Sequence, residues 1–240
     1  DTDGNISAIR QKTRNDAMQL TEECMLCANV CAASFIDELK LTGIYRVHER
    51  PDEKKIFSLR KFLNSLNVTL PEGLPSPVDL QDALNQLNKK LNGSVLQLAI
   101  LRSLSQAKYE LRNTGHYGLN FSNYTHFTSP IRRYPDLVTH RLIKAVIHSA
   151  RTTDLVKRFG KNPYIDQSRS SNGLDIIAEH CSFAERRAER AVFEVLEWMK
   201  CDYIAGGIGK TADGIITHVT SFGLFVHLSE SHVEGMVHIS

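Results

Sequence analysis

The 240-residue chain carries 29 Lys and Arg against 27 Asp and Glu, a formal net charge of +2, with 42% hydrophobic and 23% charged residues. That composition is ordinary for a globular protein and excludes wholesale disorder. The near-neutral balance means that any nucleic-acid surface must come from local clustering of Lys and Arg, and no apolar run reaches the roughly 18 to 20 residues that would span a bilayer. No charged, apolar, small-residue start marks a secretory signal, and an opening "DTDGNISAIRQ" without Met reads as a piece of something longer.

Residues 1–12 read as a polar lead-in. From Asn15 to Leu39 the apolar positions are dense, among them Met18, Met25, Ala28, Val30, Phe35 and Ile36. They predict a helix buried on most sides, begun by an Asn/Asp cap and stopped by Gly43, with Glu22, Glu23 and Asn29 standing out as polar. "GIYRVHERP" reads as a short extended segment ended by Pro51. Asp52 to Leu66 is expected to be helical, with Ile56, Leu59, Phe62 and Leu66 on one face. Pro71, Gly73, Pro75 and Pro77 mark a surface loop. Two helices are expected next, roughly 80–91 and 95–110, separated by Gly93.

"GHYGLNFSNYTHF" has a β-compatible pattern and reads as extended. A helix then runs to about His148, started by a turn at Ser129 and Pro130 and restarted or kinked at Pro135. Residues 151–172 form a polar connector. Leu174 to Ile204 is a long helix with a core stripe of Ile177, Cys181, Ala184, Ala188, Val192, Val195 and Met199. After Gly206, "GIGKTADGIITHVTSFGLFVHLSESHVEGMVHIS" has the punctuation and β-branched runs of three short strands. That is too little chain to close a barrel of the usual five. The chain therefore divides at 205/206 and is α+β in class.

Three of the five cysteines fall in "CMLCANVC": Cys24, Cys27 and Cys31. Spacings of three and four put them on one helical face, where they are expected as small buried hydrophobes. No second CxxC or His pair completes a zinc tetrahedron. Reduced thiols fit a cytoplasmic protein.

The chemistry concentrates in "YTHFTSPIRRYPD". Unpaired N–H groups at a helix start favour an anion. Arg132 and Arg133 in that first turn add guanidinium forks suited to phosphate oxygens. The plainer alternative is a surface pair with one arginine bridged to Asp136. On the long helix, "ERRAERA" reads mostly as a solvated, self-paired charged face. In the β-segment, Phe222 and Phe225 flank Gly223, and His238 lies on the third strand. Such aromatics stack single-stranded bases in OB-type barrels, or else fill the barrel core. The aspartates are dispersed, no three within a short span, so a two-metal phosphoryl-transfer site has no local source.

"GHYGLNFSNYTHFTSPIRRYPDLVTHRLI", "EECMLCANVCAA", "IYRVHERP" and "AERRAERAVFEV" resemble motifs of the RNB exoribonucleases, the ribonuclease II and ribonuclease R family. "HFTSPIRRYPDL" and "IYRVHE" lean toward the ribonuclease R branch. The terminal β-segment resembles the opening half of an S1-type RNA-binding domain. The resemblance implies a mostly helical C-terminal part of an RNB domain over 1–205 and the start of an S1 domain over 206–240. It also implies hydrolysis of RNA from the 3′ end to nucleoside 5′-monophosphates with two magnesium ions. By motif match Arg132 would hold the phosphate at the scissile bond, and Glu189 would touch the 3′-terminal nucleotide. Phe222, Phe225 and His238 would contact RNA, while Tyr124, His126 and Arg133 would line the channel.

The family's metal-binding aspartate cluster and the aromatic platform before it have no counterpart here. The chain is therefore expected to be inactive alone, its magnesium ligands lying in the parent polypeptide. The partner is the 3′ end of single-stranded RNA, with no membrane and no small-molecule cofactor, and the protein is expected to be a monomer. A second hypothesis is a non-catalytic RNA-binding protein on the same scaffold. A third, a helical protein with a basic patch, leaves the aromatic strand pattern unexplained.

Overall fold

The computed structural model describes residues 6, 9, 13–88, 100–150, 171–229, 231 and 233–239. The connector expected over 151–172 lies almost entirely outside them, as does most of the polar lead-in. Two compact units are present, one of residues 16–183 and one of 184–240 with 1–15. Among the described residues no helix is long and apolar enough to cross a membrane.

In the larger unit, helix α1 (Asp16–Glu38) leads to strand β1 (Tyr45–Val47), then helices α2 (Glu53–Ser65) and α3 (Pro77–Asn88). Strand β2 (Lys108–Glu110), a 3₁₀ turn (Tyr117–Leu119), helix α4 (Tyr134–Ala150) and the first half of helix α5 (Ser171–Ala205) follow. β1 and β2 pair antiparallel, Arg46 opposite Tyr109.

α1 ends where Lys40 takes the left-handed conformation (φ 51). The Leu41 N–H then reaches back to the Ile36 carbonyl at 3.0 Å, a Schellman closure. Lys40, not Gly43, stops the helix. Gly43 serves a different end, since a Cβ there would lie 2.8 Å from Ile36 Cγ2. α1 is also less buried than its composition suggests. Asn29, Ala32, Ala33 and Ile36 face inward, whereas Cys24, Cys27 and Cys31 are exposed. The cysteines do share a face, but it is the opposite one.

Three apolar clusters hold this unit. Ala33 and Ile36 of α1 pack with Tyr45, Val47 and Leu142. Ile44, Tyr109 and Ala178 join Val138, Leu174, Ile177 and Cys181. α2 and α3 close over Ile56, Leu59, Leu63, Val68, Leu70, Leu80, Ala83, Leu87 and Ile100. Asp52 caps α2, its carboxylate accepting the Lys54 N–H at 2.7 Å. Leu63 rather than Phe62 completes the inner face, and Phe62 is exposed. The helix expected over 95–110 stops near residue 103, and 108–110 is strand because Tyr109 must pair with β1.

α4 begins at Tyr134 with Pro135 already in its first turn, where a missing N–H breaks no bond. The helix therefore needs no kink, and Arg132 and Arg133 precede it instead of lying inside it. On α5 the inward positions are Ala178 and Ser182, while Ala188, Val192 and Val195 of the expected stripe are exposed.

In the smaller unit β3 (Gly214–Thr220), β4 (Gly223–Leu228) and β5 (Glu234–His238) form an antiparallel meander in that order. Among the described residues it makes an open three-stranded sheet. A two-residue turn, Ser221–Phe222, joins β3 to β4, with Thr220 opposite Gly223. A Cβ at Gly223 would meet the Val237 carbonyl oxygen at 2.5 Å, so glycine is required there.

Burial distinguishes neighbours on α2. Leu63→Ala should cost about 2–5 kcal/mol of unfolding free energy, and Phe62→Ala less than about 1 kcal/mol, by urea denaturation of the chain. Equal losses would mean that the helix face has been assigned wrongly.

Candidate nucleic-acid interface

Between Asn113 and Tyr134 the larger unit has little regular structure, so side-chain bonds must fix the backbone. Gly115 (φ 79) and Asn120 (φ 57) adopt left-handed conformations on either side of the 3₁₀ turn. This turn, flanked by isolated bridges at His116 and Phe121, interrupts the expected extended segment. Gly118 presents its N–H to His48 Nδ1 at 2.8 Å. A Cβ at Gly118 would crowd the same atom at 2.6 Å. His48 Nδ1 is thus an acceptor, and its Nε2–H donates to the Ser105 carbonyl.

Downstream, Arg46 N–H donates to the Tyr124 carbonyl at 3.0 Å, laying the segment alongside β1. The Thr125 hydroxyl donates to the Ile44 carbonyl at 2.6 Å. From α1, the buried Asn29 amide does two jobs. Its Nδ2 donates to the Tyr124 hydroxyl at 3.0 Å, and its Oδ1 accepts the Phe127 N–H at 2.9 Å. His140 of α4 donates from Nε2 to the Phe127 carbonyl at 2.8 Å and stacks on the Phe127 ring at 4.0 Å. Tyr109 bonds His126 Nδ1 at 2.8 Å through its hydroxyl, while Arg46 lies 4.6 Å above its ring. The Tyr109 N–H is held by the Ser182 hydroxyl at 2.9 Å.

The two arginines divide. Asp136 is fully buried, and its Oδ1 accepts both the Ser129 N–H at 2.8 Å and Arg133 Nη2 at 2.7 Å. Arg133 is turned inward by this pair, and its Nε has no hydrogen-bond partner among the described residues. Arg132, one residue earlier, is exposed. No carboxylate among the described residues pairs with it. Of the plainer reading, the bridge from one arginine to Asp136 is present, but it is buried and not on the surface, and Arg132 is left exposed.

The electrostatics agree. Burial first, then the nearby charges of Arg133, Arg46, His116 and Arg132, lower the His126 pKa to about 3. His116 is lowered to about 4, again by burial first, then by His48 and Arg46. Both rings are neutral at pH 7. Arg133, Arg46 and Arg132 all lie close enough for their charges to act on His126.

The expected site residues thus fall in several places. Tyr124 is buried with its hydroxyl occupied by Asn29, and His126 is half-buried in the aromatic cluster. Glu189 is exposed on the second half of α5, in the smaller unit. There Phe222 sits exposed at the hairpin turn, edge-on to Phe225 at 6.5 Å. The register sets His238 opposite Gly223 and Met236 opposite Phe225. Since paired residues share a face, His238 and Phe225 lie on the same side of the sheet. The reading from sequence had given no role to Asn29, Arg46, Tyr109 or His140. Asn29 carried the one usable signal: a polar side chain at helical spacing with Ala32, Ala33 and Ile36. Among the described residues no three His, Cys, Asp or Glu side chains are grouped to hold a metal ion, so they do not fit the metal pair that the resemblance implies.

This architecture is that of an RNB domain followed in sequence by part of an S1 domain. The RNB domain model matches residues 1–149 and the S1 RNA binding domain model residues 207–240, and the chain belongs to the RNB family. It is 43% identical to ribonuclease R of Vibrio cholerae over 98% of its own length, but covers only 28% of that relative. Among solved structures it is similar to Mycoplasma genitalium RNase R in complex with ribose-methylated single-stranded RNA. There the TM-score is 0.84 at 29% identity, covering 95% of this chain and 34% of that one. It also shares its fold with yeast Ssd1, a pseudonuclease, at TM-score 0.74 and 23% identity.

Two half-buried neutral histidines make stability fall with acid. Unfolded, each binds a proton near pH 6.5; folded, His116 and His126 do so only near 4 and 3. Between those limits the unfolded state binds more protons, so each ring should remove up to about 1.4 kcal/mol per pH unit as pH drops. Urea melts from pH 7 to 5 should show this slope, and His126→Asn should reduce it. A slope indifferent to that substitution would mean His126 titrates alike in both states.

Proposed function

We propose that this chain is part of a hydrolytic 3′→5′ exoribonuclease of the ribonuclease R type, and that Arg132 grips the RNA phosphate at the bond to be cut. The observation that carries this reading is the unequal fate of the adjacent arginines. Arg133 neutralises buried Asp136 and fixes the loop, which leaves Arg132 projecting with its charge uncompensated by any described carboxylate. A guanidinium held so can bond two phosphate oxygens at once and strengthens its grip as negative charge grows on them in the transition state. In this reading Tyr124, His126 and Arg133 line the channel from behind, setting its shape, and Arg132 makes the contact. Glu189 engages the 3′-terminal nucleotide. Phe222, Phe225 and His238 stack or bond single-stranded bases through the S1 portion.

The reaction is attack of water on the terminal phosphodiester, with release of a nucleoside 5′-monophosphate and a shortened strand. Two magnesium ions belong to this proposal, with ligands elsewhere in the parent polypeptide, and the 240 residues alone are then inactive. The substrate is the 3′ end of RNA entering as a single strand, handled by a monomer in the cytoplasm.

A non-catalytic RNA binder remains the second reading. The pseudonuclease Ssd1 has the same fold, so the fold does not separate the two. Retention of Arg132 and Glu189 supports the enzyme.

In the parent polypeptide with magnesium, Arg132→Ala should cut turnover of a 3′-labelled RNA by a factor on the order of 100 or more, while binding weakens far less. Tight, salt-sensitive RNA binding by an intact parent that releases no monophosphate would favour the second reading instead.

A further inference from the structure

The RNA reading leaves one built feature unused: the thiols of α1. Cys24, Cys27 and Cys31 are all exposed. They fall on the side of the helix opposite Asn29, Ala32, Ala33 and Ile36, which point into the unit. Four residues apart, Cys27 and Cys31 lie one above the other, with Cβ atoms about 5–6 Å apart. The Cys31 thiol is raised above its ordinary value first by its neighbour Cys27 as a hydrogen-bond partner, then by that thiol's charge and slight desolvation. Cys24 shares the face, three residues from Cys27 but seven from Cys31, about 10.5 Å along the axis, so one small ligand cannot span all three.

We propose that Cys27 and Cys31 form a dithiol site on the solvent face of α1 that chelates a thiophilic electrophile of the trivalent-arsenic class. The donor set selects the ligand. Zinc asks for four ligands in a tetrahedron, and no third protein donor is grouped with the pair among the described residues. Two thiols alone suit a soft centre content with few ligands. With phenylarsine oxide as the probe, two As–S bonds form and the arsenic–oxygen bonding breaks. The two thiol protons leave with that oxygen as one water. Arsenic stays trivalent, and nothing is oxidised or reduced. The bridged turn, residues 27–31, carries Asn29 on its inner side, the residue that holds Tyr124 and Phe127.

The test is a titration of the reduced 240-residue chain with phenylarsine oxide, read by intact mass, by loss of reactive thiols and by the melting temperature. One adduct should form with loss of two thiols, resist excess monothiol and be removed by ethanedithiol. Cys27→Ser and Cys31→Ser should each weaken it by a factor on the order of 100, because the second bond is no longer intramolecular. Cys24→Ser and Cys201→Ser should leave it unchanged. All four positions are exposed, so unliganded melting should be the same in every variant. An adduct that survives Cys31→Ser, or that a monothiol displaces from the unaltered chain, overturns the proposal.

Discussion

The pair between Asp136 and Arg133 is the constraint from which the rest of the site follows. A carboxylate removed completely from water is expensive, and only a close cation with further hydrogen bonds makes it tolerable. Asp136 meets this need with Arg133 Nη2 and the Ser129 N–H on one oxygen. Those two bonds tie the ends of the Ser129–Arg133 turn to the start of α4. Because Arg133 must turn inward to satisfy the carboxylate, Arg132 is carried outward by the same turn. Of the doubled arginine, one side chain neutralises a buried charge and the other stays exposed.

The loop preceding that turn is held by polar atoms with long sequence separation. Asn29 reaches from α1 to Tyr124 and Phe127, His140 reaches from α4 to the Phe127 carbonyl, and Ser182 reaches from α5 to Tyr109. Each bond supplies a partner that an irregular backbone would otherwise lack. The histidines enter this network uncharged, which suits a pocket already crowded by guanidiniums. A protonated ring at 126 would add a fourth positive charge to Arg46, Arg132 and Arg133. Neutral, it accepts or donates one hydrogen bond to Tyr109 and keeps the aromatic cluster packed.

The smaller unit presents its aromatics by a different device. Its hairpin turn pushes Phe222 into solvent, and Gly223 lets β5 approach closely enough for the Val237 carbonyl to sit where a side chain would be. That carbonyl fills the space beside Gly223, and on the same face the half-buried Phe225 neighbours the exposed His238. Most of β5 is exposed, Met236 and Val237 included.

Local sequence determined where elements begin and end, because caps and breakers act over a few residues. Asp52 capped α2 and the three strands after Gly206 followed their punctuation and β-branched runs, whereas the 3₁₀ turn inside "GHYGLN" went unread in a segment expected to be extended. Periodicity likewise placed Cys24, Cys27 and Cys31 on one helical face. What it lacked was which face turns inward, since a helix has an apolar side whether or not anything covers it. Only packing decided that α1 buries Asn29 and Ile36 while exposing its thiols, that Leu63 goes in and Phe62 out, and that the expected stripe on α5 stays exposed at Val192 and Val195. The same holds for the two arginines: their composition announced an anion site, but their division depended on a carboxylate three residues beyond Arg133 being sealed from water. Burial is a property of the surrounding chain, and no short stretch of residues encodes it alone.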